Sequence, residues 1–175
     1  MFIETLIFSI IVGLIRKGNI KNFALIHLRG ISFLFVALFI QIILDRFGLV
    51  FWDCWGLVIH LATYLMLFYF FWLNKGRLNI LLPFGTFFNF IVILFNKGAM
   101  PVKTTYMPEE SIAFLAERVT HTIMTAQTKL LYLGDIIYIS WPIQQMISIG
   151  DIIMNIGIFL FIQGIMYKNR KKTGA

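Results

Sequence analysis

Asn96-Lys97-Gly98-Ala99-Met100-Pro101-Val102 opens a stretch that closes with Leu133-Gly134-Asp135 and Ser148-Ile149-Gly150-Asp151, and the reading of that stretch decides the fold. Residues 96–148 are the one long segment too polar to cross a bilayer. From Asn96 to Asp151 the chain carries Glu109, Glu110, Glu117, Asp135 and Asp151, five of its eight acidic residues. On either side the chain is apolar. Hydrophobic residues make up 59% of it and charged residues only 13%, above the roughly half apolar of ordinary globular domains. Phe alone occurs 19 times, a usage better suited to a lipid-facing surface than to a small packed core.

Working outward, the apolar runs lie at 2–15, 23–44, 49–73, 78–95 and 149–167. A spanning helix needs about 20 apolar residues, with a range of about 17–25. The expectation is therefore a single all-α integral membrane domain: five transmembrane helices, multi-pass, with 96–148 as a structured loop. The first run is the shortest and carries Glu4. The fourth is interrupted by Pro83.

Lys and Arg set the orientation. Arg16, Lys17, Lys21, Arg29, Lys75, Arg77, Lys168, Arg170, Lys171 and Lys172 fall on one side of these runs. Arg46, Lys97, Lys103, Arg118 and Lys129 fall on the other. Ten against five places the C-terminus in the cytoplasm, with the N-terminus and the 96–148 loop outside. The net charge of +7 forms no contiguous basic patch, so nucleic acid is not an expected partner. The first basic residues follow the first apolar run, the reverse of signal-peptide order. A lone Cys54 excludes an internal disulfide.

Within the loop, Pro108-Glu109-Glu110 spells a helix N-terminus. Ile112, Leu115, Ala116, Val119 and Ile123 continue at helical spacing, which predicts an amphipathic helix through 123. Ser148-Ile149-Gly150-Asp151 reads as an S-x-x-D helix start, with Ser148 as N-cap and Asp151 at the positive end of the helix dipole. Gly150, Gly157 and Gly164 recur every seven residues and predict close packing along one face.

Polar side chains among apolar runs are candidates for function by default, because burying them in lipid is costly. His60, Asn89 and Asn155 qualify, although hydrogen bonds between helices account for each without a ligand. Asp53, Asp135 and Asp151 lie near the loop end of the same helices. Asp135, following Gly134, also suits an ordinary turn. His27, His60 and His121 are too scattered for a metal site, and no cofactor motif is visible.

Asn89, the 96–102 stretch, Leu133-Gly134-Asp135 and Ser148-Ile149-Gly150-Asp151 together resemble a family of small bacterial membrane proteins. That family is a domain of unknown function with N-G-G-M-P-V-like, L-G-D and S-x-G-D motifs. The resemblance runs from the basic connection at 16–29 to the last helix. It departs from the motif at Ala99, and it implies a bacterial inner membrane. A second, partial resemblance is to lipoprotein signal peptidases. Asp135 and Asp151 are similar in order and location to their two catalytic aspartates, and Asn96-Lys97-Gly98-Ala99 looks like their N-x-G-x-A motif. Their G-N-x-x-D-R motif has no counterpart here.

Two functions are therefore expected. In one, the protein is a non-catalytic binding or accessory protein. Its outer loop caps a pocket for a lipid, a membrane-anchored peptide or a partner membrane protein. Asn89, Asn96, Gly98, Met100, Pro101, His60, His121 and Asn155 anchor the loop or meet the ligand. In the alternative, it is an aspartyl peptidase-like enzyme with Asp135 and Asp151 as the dyad. One carboxyl would hold a proton while the other activates water.

Overall fold

Uncharged runs of Leu, Ile and Phe form helices wherever turn residues do not interrupt them, and the interruptions set the architecture. A computed structural model describes residues 1–47, 55, 57–116 and 118–167. Gly48, Asp53, Cys54, Glu117 and the basic run 168–172 lie outside the described residues. The helices are α1 (Phe2–Ile15), α2 (Ile31–Phe47), α3 (Leu57–Leu73), α4 (Leu81–Phe95), α5 (Glu109–Ala116) and α6 (Ile149–Met166). α6 packs against α4 and α1, and α2 packs against α3.

At one end of these helices, buried asparagines close the chain. The Asn22 side chain, in a 3-10 turn at Ile20–Leu25, donates to the Ile165 and Met166 carbonyls at 3.1 Å each. It thereby satisfies acceptors that the last turn of α6 leaves open. Asn74 is fully buried. It accepts from the Arg29 amide at 2.9 Å and donates to the Arg29 and Phe70 carbonyls at 2.8 Å each. Arg16, Arg29 and Arg77 gather at this end, where the Arg77 guanidinium donates to the His27 carbonyl at 3.0 Å.

At the opposite end sits a cap made from residues 96–148. Strands β1 (Met100–Val102) and β2 (His121–Ile123) pair in parallel, with Met100 opposite His121 and Val102 opposite Ile123. Strands β3 (Ile137–Ile139) and β4 (Gln145–Ile147) pair antiparallel, with Tyr138 opposite Met146. A parallel bridge from Val102 to Asp135 brings the 131–135 segment against β1. Tyr64, Val92, Ile93 and Met100 form a buried cluster where α3 and α4 meet the cap, with Phe68, Phe90 and Leu133 against it. Burying a side chain of this size contributes about 1.5–3 kcal/mol, so this junction joins cap to helices.

Three sequence expectations are corrected. The five-span, all-α fold is overturned: among the described residues only α6, with 18 residues, is long and apolar enough to cross a membrane. The 96–148 segment holds two small sheets besides α5. Local chemistry shortens the other runs. Gly30 at φ +62° makes a turn, so the 23–44 run begins its helix only at Ile31. The Asn79 side chain accepts from the Leu81 amide at 2.9 Å, which delays α4 and leaves it 15 residues. α1 has 14 residues, and α3 is described only from Leu57.

Second, the amphipathic helix ends at Ala116. The chain turns and enters β2, so Val119 and Ile123 lie beyond it. Val119, Thr120, Thr122 and Ile123 are β-branched, which favours extended backbone over helix. Third, the glycine stripe on α6 is only partly a packing face. A Cβ at Gly150 or Gly157 would meet α4 at 2.0 and 3.0 Å, whereas Gly164 has open space.

Candidate functional site

The cap is fastened to the helices at two places. The first is the start of α6. The Ser148 hydroxyl accepts from the Asp151 amide at 3.0 Å, and the Ser148 amide donates to Asp151 Oδ2 at 3.0 Å, a reciprocal capping box. Asn89 of α4 closes the ring. Its Nδ2 donates to Asp151 Oδ1 at 2.9 Å, and its Oδ1 accepts from the Ser148 hydroxyl at 2.9 Å. Both Asp151 carboxylate oxygens are thus engaged by protein donors. The helices approach closely enough because both contact positions are glycines. A Cβ at Gly150 would lie 2.0 Å from Asn89 Oδ1, and one at Gly85 would lie 2.4 Å from the Gly150 carbonyl. Asn155, one turn on, donates to the Asp151 carbonyl at 2.7 Å, and its own buried Oδ1 has no partner among the described residues.

The second fastening is the end of α4. Asn96 Nδ2 donates to the Val92 carbonyl at 2.7 Å and the Lys129 carbonyl at 2.9 Å, while Asn96 Oδ1 accepts from the Lys129 amide at 2.9 Å. Gly98 follows at φ +86°, a conformation that favours glycine, and its amide reaches back to the Ile93 carbonyl at 2.9 Å. The Gly98 carbonyl accepts from His60 Nδ1 at 2.7 Å, which ties α3 to the same turn. Met100 and Pro101 are buried beyond it. The Met100 amide donates to the Thr120 carbonyl at 2.8 Å, and the Pro101 carbonyl accepts from the Asp135 amide at 2.9 Å.

Residues of the cap line a cleft of about 530 Å³, within the span of about 300–1,000 Å³ usual for small-ligand sites. Val102, Met107, Phe114, Leu115 and Met146 supply apolar lining, while Glu110, Ser111, Arg118, His121, Asp135, Gln144 and Gln145 supply polar groups. Asp135 is only 6% exposed, and its Oδ1 has no hydrogen-bond partner among the described residues. Burial, and then the nearby Asp151 charge, push the Asp135 carboxyl well above the ordinary carboxylate range.

Arg118 stacks over the Phe114 ring at 4.6 Å and pairs with Asp45 at 3.5 Å, while its buried Nε has no partner among the described residues. Thr120 donates a short hydrogen bond to Asp45, and its hydroxyl lies 2.9 Å from His121 Nδ1. Burial pushes the Asp45 carboxyl up, but the bonds to His121 and Thr120 and the Arg118 charge outweigh it and hold the group down at about 2.

The structure thus separates the expected site residues. Asn89 and Asp151, with Asn155 beside them, form one fastening. Asn96, Gly98, His60, Met100 and Pro101 form the other. Asp135 and His121 line the cleft. Sequence reading missed Asp45, Arg118, Glu110, Ser111, Gln144 and Gln145 as site residues. Asp45 and Arg118 are 73 positions apart with no spacing to connect them, and only the fold brings them together. Among the described residues, no three His, Cys, Asp or Glu side chains gather to hold a metal ion.

This arrangement defines a mostly helical protein with a small capped cleft. Residues 25–163 match DUF5317, a family of unknown function, and the chain belongs to that family. It is also 28% identical over 164 residues to an uncharacterized protein of Thermotoga maritima, covering 92% of this chain and 89% of that protein. No solved structure matches.

Proposed function

We propose that this is a non-catalytic binding or accessory protein of a bacterial plasma membrane, whose cap holds a ligand in the Asp135 cleft on the outer face. The observation that carries the reading is the contrast between the carboxylates. Asp151 spends both oxygens on the fastening, while Asp135 lines the cleft and its buried Oδ1 has no hydrogen-bond partner among the described residues. Lipid is the partner for the helices. Ile3, Ile7, Phe8, Ile15, Phe35, Phe39 and Ile42 are large, uncharged and more than half exposed, and an extended apolar surface of this kind marks a membrane or protein contact. Basic residues gather at the end of the helices opposite the cap, which supports a cytoplasmic position for that end.

A second reading, the aspartyl peptidase, draws support from the raised Asp135 carboxyl beside a charged Asp151. The two readings part on Ser111→Trp, which fills the cleft from the side of α5, and on Asp135→Asn. Under the binding reading, a ligand extracted from the purified wild-type protein and detected by mass spectrometry is lost in Ser111→Trp and retained in Asp135→Asn. No membrane precursor accumulates in cells carrying either variant. Accumulation of an uncleaved precursor in folded Asp135→Asn would overturn the binding reading in favour of the peptidase.

A further inference from the structure

We infer that the Asp135 cleft binds an uncharged peptide unit flanked by apolar side chains, with Asp135 and Arg118 Nε as the hydrogen-bonding pair. This inference rests on the binding reading and names its ligand class. The charges near the cleft are already matched inside the protein. Arg118 faces Asp45 at 3.5 Å and the Phe114 ring at 4.6 Å. His121 is engaged with Thr120 and Asp45. Glu110 is exposed in the first turn of α5, where water and the helix dipole stabilise it. An anionic ligand group would therefore have to break an existing pair or go unmatched, and a cationic one could meet only the exposed, water-screened Glu110.

Two buried polar atoms of cleft-lining residues lack partners among the described residues. One is an acceptor, Asp135 Oδ1, on a side chain more than nine-tenths buried. The other is a donor, Arg118 Nε. A buried polar group left unpaired costs about 1–3 kcal/mol, so both gain if their side chains turn toward the cleft and a ligand satisfies them. A peptide unit offers one N–H and one C=O, the matching set. The protonated state favoured at Asp135 by burial keeps that group uncharged, and so able to accept from or donate to an amide. Gln144 and Gln145 add neutral amides, and Val102, Leu115, Met107 and Met146 offer apolar contact for side chains.

The test uses the full chain in detergent micelles and three probes titrated by calorimetry. These are N-acetyl-leucyl-leucine methylamide (uncharged), N-acetyl-leucyl-leucine with a free carboxylate, and leucinamide as a cation. The uncharged probe is expected to bind. Asp135→Asn, which keeps a neutral hydrogen-bonding group, should hold its affinity within about two-fold, and Asp135→Leu should lose about ten-fold or more. Ser111→Trp, with its fold checked by circular dichroism, should abolish binding. If either charged probe bound at least about ten-fold more tightly than the uncharged one, the peptide-unit assignment would fall while a capped binding cleft stood. If folded wild-type protein bound none of the three, the assignment would be overturned and the binding reading left without its ligand. If Asp135→Leu bound as well as wild type, Asp135 would have no part in recognition.

Discussion

The Asn89–Ser148–Asp151 fastening and the Asp135 cleft belong to the same cap, and they use a carboxylate in opposite ways. At the fastening, every side-chain polar atom of Asp151 and Ser148 has a partner between 2.9 and 3.0 Å, and only the neighbouring Asn155 Oδ1 is unpaired among the described residues. At the cleft, Asp135 and Arg118 each keep a buried atom unpaired among the described residues. A fully satisfied network stabilises one geometry, whereas a partly satisfied one is a standing cost that folding alone would not favour. The difference separates what holds the cap from what the cap is for.

The largest effect should come from forcing the fastening apart. Gly150→Val places a branched side chain where a Cβ already lies 2.0 Å from Asn89 Oδ1, and it should destabilise by about 3 kcal/mol or prevent folding. Chemical unfolding followed by tryptophan fluorescence would show this, and a wild-type midpoint would mean that α4 and α6 are not in close contact. Asp151→Asn comes next. It puts an NH2 donor in place of one acceptor oxygen, so one of the two hydrogen bonds at the start of α6 is lost and the other loses its charge, which should cost about 1.5–3 kcal/mol. Protease cleavage within the cap should rise in parallel. Asn96→Ala breaks the second fastening, which consists of neutral bonds only, so about 1 kcal/mol is expected by the same measurement.

Asp135→Asn should behave differently. The folded chain holds the Asp135 proton to higher pH than the unfolded chain does. Stability from this group is therefore greatest below the unfolded carboxyl's pKa, about 3.9, and declines as pH rises toward the folded value. Asp135→Asn removes that decline, so it should match wild type in acid and equal or exceed it at pH 7. Asp45 has the opposite sign. Its folded value lies at about 2, so its contribution is present at neutral pH and is lost as pH falls from about 4 through 2. Asp45→Asn should therefore flatten the acid limb of the pH–stability curve and leave the Asp135 limb unchanged.

The helix start within the first fastening was legible in the sequence because its signal is local: Ser148 and Asp151 sit at the spacing of a capping box. The Asn89 side chain that closes the ring comes from another helix, and no local spacing announces it. The span count was not legible. Hydropathy cannot see that Gly30 and Asn79 delay α2 and α4, so runs that read as long enough give shorter helices. Nor did the α5 pattern reveal its end, since Val119 and Ile123 suit a helix face and a short strand equally. The cleft was hidden for another reason. Val102, Arg118, Asp135 and Gln145 come from four separate segments, and no periodicity links them.

The most direct measurement is the unfolding free energy of Asp151→Asn and Asp135→Asn, side by side at pH 7 in one detergent. If Asp151 fastens the cap and Asp135 serves the cleft, Asp151→Asn loses stability while Asp135→Asn is at least as stable as wild type. Equal losses in both variants would make Asp135 a second structural fastening and contradict the account.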